Sequence, residues 1–129
     1  MNITNALYVL MMCFVFCVST CSAQEVINQS NFKDKIAKDI VVVEFWAEWN
    51  KANEFTELNK LKDSSVYRVD IMHCAKLQAD YKISAVPTVV VFDNGVEKER
   101  FNANIMFQLE ADKKTIQTSI DTIILNKFQ

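Results

Sequence analysis

The run Ile40-Val41-Val42-Val43, continued without a break by Glu44, Phe45 and Trp46, constrains the fold of this chain more than any other feature. β-Branched residues favour extended backbone. A strand that is apolar on both faces belongs in the middle of a sheet covered on both sides. The partners of this strand are legible nearby. Val66 to Ile71 alternates, with Tyr67, Val69 and Ile71 on one face and Arg68 and Asp70 on the other. Thr88 to Phe92 is a third apolar strand. Asp93-Asn94-Gly95 then supplies residues that tolerate positive φ in a tight turn, and Val96 to Phe101 returns as an antiparallel partner. Val26-Ile27 reads as a further short strand.

Helical spacing fills the gaps between these strands. Phe32 and Ile36 mark a short helix from Asn31 to Ala37, with Ser30 or Asn31 as its cap. Phe55, Leu58 and Leu61 predict a helix from about Lys51 to Lys62, and Cys74 to Tyr81 reads as another. In the last segment, Asp112 to Lys127, Ile116, Ile120, Ile123 and Ile124 recur at the spacing of one helix face. The order β-α-β-α-β-α-β-β-α predicts an α/β domain with a central mixed sheet and helices on both faces. The chain holds one Gly and one Pro, so no Gly- or Pro-rich linker divides it.

Charge divides the chain in two. All 14 basic and 16 acidic side chains lie after Ala23, and Ala6 to Val18 is an unbroken apolar run of 13 residues. That length suits the hydrophobic region of a secretory signal and is short for a membrane span. The small residues Cys21-Ser22-Ala23 place cleavage after Ala23. Residues 1–23 are thus expected to be a signal peptide and residues 24–129 the exported domain, periplasmic or extracellular. Two other readings fit the same segment: an uncleaved anchor, or a lipoprotein signal acylated at Cys21. Membrane association is expected only through one of these.

Once the strands are placed, the chain resembles the thioredoxin family. Val42-Val43-Glu44-Phe45-Trp46-Ala47-Glu48-Trp49 is similar to the family's central strand and its approach to the active site. Val86-Pro87-Thr88 is similar to its cis-proline loop. The likeness runs from Val26 to Ile124 and implies a thioredoxin fold. Val69-Asp70-Ile71 and Tyr81-Lys82-Ile83 keep step with it.

The departures bear on function. The family's Trp is followed by Cys-Gly-Pro-Cys, whereas Trp49 is followed by Asn50-Lys51-Ala52-Asn53. The family's first cysteine attacks a disulfide as a thiolate and its second resolves the mixed disulfide. An amide does neither, so no catalytic residue is expected at Asn50 or Asn53. Asn50 is expected to survive as a helix N-cap, with Lys51 solvated. Only 16 residues separate Asn53 from Asp70, which shortens the following helix by about two turns relative to the family; a short, straight helix and a less-covered sheet face are expected. Glu44 stands where the family has a buried acid. Without a cysteine to serve, it is expected to pair with a Lys or reach solvent, with burial favouring its neutral form. Trp46 is expected in the core. Trp49, Val86 and Pro87 imply a shallow groove for an extended peptide, and Asn102 stands where a side chain would narrow it.

Other chemistries find little support. If residues 1–23 are removed, Cys74 is the only cysteine, so no internal disulfide is expected. Neighbouring His73 and Cys74 cannot supply the four ligands of a structural zinc site. No cofactor is expected, and the interspersed charges, net −2, show no basic stripe for nucleic acid. The leading expectation is a non-catalytic module that binds an extended peptide or client protein in the cell envelope. The alternative is a thiol–disulfide oxidoreductase acting through Cys74.

Overall fold

A computed structural model of the chain describes residues 24–129. The signal-peptide, anchor and lipoprotein readings, including that of Cys21, fall outside the described residues. Among the described residues, four strands form one sheet: β1 (Ile40–Trp46), β2 (Ser65–Asp70), β3 (Thr88–Asp93) and β4 (Val96–Phe101), in the order β2-β1-β3-β4. β1 runs parallel to β2 and antiparallel to β3, and β4 is antiparallel to β3. The sheet is mixed and β1 is central, as its apolar run requires. The α-helices that accompany it are α1 (Phe32–Ile36), α2 (Ala75–Asp80) and α3 (Lys113–Asn126).

Alternation along β1 builds two cores. Val41, Val43 and Phe45 face Phe32 and Ile36 of α1, Leu77 of α2 and Val69 of β2. Ile40 and Val42 face Ile116 and Ile120 of α3 together with Phe55, Leu58 and Leu61. Both layers are therefore covered, and the sheet face expected to be less covered is closed over: Val42, Val89 and Val91 are fully buried. The β3–β4 turn has positive φ at Asn94 and Gly95. The Asn94 side chain accepts the Asp39 N–H at 2.9 Å, pinning that turn to the start of β1. Asp112 caps α3 by accepting the Thr115 N–H at 2.8 Å, which holds its carboxyl below the usual range.

Several local expectations are corrected. Val26-Ile27 is not a strand of the sheet; Val26 makes one isolated bridge, with Arg68. Asn31 precedes α1, but its side chain accepts the Asn28 N–H instead of capping the helix. The helix expected over Lys51–Lys62 is absent. Two short 3-10 turns, Glu48–Asn53 and Leu58–Lys60, stand in its place. Phe55, Leu58 and Leu61 are buried as their spacing suggested, but by an irregular segment.

Candidate functional site

An irregular segment against a core must satisfy its backbone by other means. Here two strand side chains do it. Glu44 on β1 and Arg68 on β2 are register partners. Glu44 Oε2 accepts the Phe55 N–H at 2.7 Å, and the Arg68 guanidinium donates to the Phe55 carbonyl at 3.0 Å. Arg68 Nε also donates to Glu44 Oε1 at 2.8 Å, and its Nη1 to Glu54 at 3.2 Å. The pair clamps both polar groups of Phe55 and so fixes the segment that carries Asn50 and Asn53.

Glu44 therefore neither pairs with a lysine nor reaches solvent; it is fully buried against an arginine. Burial pushes its carboxyl above the ordinary value, while the Phe55 N–H and Arg68 pull it back. Trp46 is also not a core residue in the expected sense. It is half-buried at the end of β1, with Arg68 5.8 Å from its ring centroid and its indole N–H buried without an acceptor.

The next layer outward is built on Asn50. It lies inside the first 3-10 turn at a non-helical φ of −115° and caps nothing. Its Nδ2 donates to the Val86 carbonyl at 2.9 Å and to the Phe107 carbonyl at 3.0 Å. Its Oδ1 accepts from Asn53 Nδ2 at 2.8 Å. The two residues at the dithiol positions thus face each other and link three loops. The helix-capping expectation fails because the Asn50 oxygen that would accept local amides is taken by Asn53 Nδ2, while its amide nitrogen is held by two carbonyls of distant loops.

The Val86–Pro87 peptide bond is cis, as the resemblance implied. Val86 and Pro87 are buried behind Asn50, and Thr88 Oγ1 donates to the Ala85 carbonyl at 2.7 Å, bracing the loop from below. Trp49 is 58% exposed. Asn102 is exposed beyond β4 and has no hydrogen bond to Asn50, Val86 or Trp49 among the described residues. The residue from that region which does reach the site is Phe107, which no motif or periodicity singles out. Its ring meets Trp49 edge-on at 5.3 Å. Phe107 has a φ of 57°, unusual for a bulky side chain. The turn that imposes it is tight. The Asn104 carbonyl accepts the Phe107 N–H at 3.0 Å, and the Asn104 side chain accepts the Met106 and Gln108 N–H groups. Ile105 and Met106, at the tip, are 97% and 68% exposed.

Cys74 is not at this site. It precedes α2, is buried at 5% exposure and packs in the core on the α1/α2 side. Its neighbour His73 is exposed and pairs with Asp70 at 2.9 Å. The two adjacent side chains therefore do not converge.

A mixed sheet with a central β1, a cis-proline loop and a Trp-bearing segment facing that loop define a thioredoxin-fold domain. The thioredoxin family profile matches residues 23–118, and the chain belongs to the thioredoxin family. It is 32% identical over 82 residues to a thioredoxin of Chlamydia trachomatis, spanning 59% of this chain and 80% of that one. It is 36% identical over 70 residues to a thioredoxin of Mycoplasma genitalium, spanning 50% and 69%. Among solved structures, a mutant thioredoxin from Halobacterium salinarum superposes with a TM-score of 0.62 at 24% identity, covering 77% of this chain and 88% of that one. Malassezia sympodialis thioredoxin superposes with a TM-score of 0.61 at 25% identity, covering 78% and 90%.

Proposed function

We propose that this chain is an exported, non-catalytic binding domain that keeps the thioredoxin scaffold and has replaced dithiol chemistry with a polar lock. The observation that carries this reading is the Asn50–Asn53 pair. The relatives named thioredoxin suggest a redox role for the family, but that role needs a thiolate where this chain has two amides. Those amides are spent on structure: they join the Trp49 segment, the cis-proline loop and the 104–107 turn. The one thiol among the described residues is buried in apolar surroundings, which favours an inert cysteine.

Export rests on the uncharged residues 1–23 and their apolar run. Binding rests on the exposed apolar rim of Trp49 with Ile105, Met106 and Phe107, held on a rigid turn beside the cis-proline loop. The Val86 carbonyl, which the resemblance offers to an extended peptide, already accepts from Asn50. A partner therefore docks on the Trp49–Phe107 rim with Asn50 in place, or displaces the Asn50 amide to pair with Val86. The partner class is an extended peptide or client protein of the envelope.

The test is capture of a partner from envelope extract on immobilised protein, compared across two variants. Trp49→Ala should lose the partner and Cys74→Ser should keep it. A partner held through a reducible bond, and lost in Cys74→Ser, would overturn the reading in favour of Cys74 chemistry.

A further inference from the structure

A second surface lies away from the Trp49 rim. Lys60 and Lys62, at and just beyond the end of the second 3-10 turn, meet Lys113 and Lys114 from the first turn of α3 around a cavity of about 340 Å³. The walls are fixed to each other. Gln117 of α3 accepts the Lys62 N–H at 2.8 Å and donates to the Lys62 carbonyl at 3.2 Å. Against four lysines the cavity has one carboxylate, Asp121, which accepts from Gln117 at 3.0 Å. Lys60 pairs loosely with Glu57 at 3.9 Å. Lys62, Lys113 and Lys114 have no ion-pair partner among the described residues. The chain carries a net charge of −2, so this concentration of positive charge is local and runs against the whole.

We propose that this cleft is a docking site for a short acidic peptide segment of a partner protein. Charge complementarity and the size of the cleft both favour this occupant. A cavity of this volume admits a few side chains, not a bilayer or a duplex. A molecule with net negative charge repels an extended polyanion over most of its surface, whereas a short run of carboxylates meets only the lysines. Lysine ammonium groups on flexible stems tolerate irregular carboxylate spacing better than a planar guanidinium would. The site does not depend on how the Trp49 rim is used.

The experiment measures binding of fluorescent oligoglutamate, oligoglutamine and phosphatidylglycerol vesicles to the protein purified from its native host, at low and physiological ionic strength. Oligoglutamate should bind, more weakly as salt rises, and oligoglutamine should not. Lys62→Gln with Lys113→Gln and Lys114→Gln should weaken oligoglutamate binding about tenfold, taking each exposed pair at the middle of its usual range. Lys98→Gln, on exposed β4, should leave it unchanged, and both variants should melt with the wild type. Equal binding of the two peptides, indifference to the triple substitution, or binding of vesicles but not oligoglutamate would each overturn the proposal.

Discussion

Replacing Arg68 with Met removes the guanidinium from the Glu44–Phe55 clamp and leaves the carboxylate behind. Glu44 is inaccessible to water, whereas the Arg68 side chain retains 15% exposure, so solvent cannot take over the lost role at the carboxylate. What remains is one hydrogen bond, from the Phe55 N–H. The Phe55 carbonyl loses its donor in the same step. Breaking a buried pair from one side costs about 3–5 kcal/mol. Against a domain stability of about 5–15 kcal/mol that is a large share. At roughly 4–8 °C per kcal/mol for a domain of this size, the melting temperature should fall by about 12 °C or more. The cost should depend on pH in a definite direction. Burial raises the Glu44 carboxyl, so the folded state keeps its proton to higher pH than the unfolded chain does. Its contribution to stability is therefore fullest below the ordinary glutamate value of 4.5 and declines as pH rises through the folded value. Without Arg68 the folded value moves further up and the decline spans a wider range. The deficit of Arg68→Met relative to wild type should then shrink on acidification. Glu44→Gln in the Arg68→Met background should recover about 2 kcal/mol at neutral pH, because it removes the buried charge and keeps an acceptor for Phe55. Urea titrations of the three proteins at neutral and acidic pH measure all of this. A deficit below about 1 kcal/mol, the range of an exposed pair, or one indifferent to pH, would refute the buried-clamp account.

Three further outcomes are expected. Asn50→Ala removes the donor shared by Val86 and Phe107 and should cost about 1–3 kcal/mol, with faster amide exchange at Met106, Phe107 and Gln108 than in wild type; unchanged exchange there would mean that the turn stands without the lock. Cys74 should react with a thiol reagent slowly in the folded protein and quickly in denaturant, since opening of the α1/α2 core must precede attack; rapid labelling of the native protein would contradict its burial. Intact mass of protein from its native host should correspond to an N-terminus at Gln24; retention of residues 1–23, or an acylated Cys21, would replace cleavage with one of the two other readings.

The sheet is legible in the sequence because its signals are local. The Ile40–Val43 run, the Asp93-Asn94-Gly95 turn and the isoleucine spacing of α3 each act within a few residues. The stretch after Trp49 is not. Phe55, Leu58 and Leu61 have a spacing that suits helix and irregular chain alike, and what decides between them is a clamp formed by Glu44 and Arg68 on separate strands. Asn50 misleads for the same reason. Its propensity to cap a helix is real, but the Val86 and Phe107 carbonyls lie 36 and 57 positions along the chain. Phe107 carries no periodicity; the local hint is Asn104, a residue apt to close a turn on its own side chain. The lysine cleft escapes for a related reason, since Lys60 and Lys62 meet Lys113 and Lys114 only after folding. The absence of cysteine at positions 50 and 53 is plain from the start, because it is a matter of composition at two sites and not of contacts.

We propose that the thioredoxin scaffold persists here without dithiol chemistry, and a disulfide-reduction assay on insulin with a suitable reductant decides that claim. Wild-type protein should reduce insulin no faster than the reductant alone, and Cys74→Ser should be indistinguishable from it. A rate comparable with that of an ordinary thioredoxin, abolished by Cys74→Ser, would contradict the claim and assign the activity to the buried thiol.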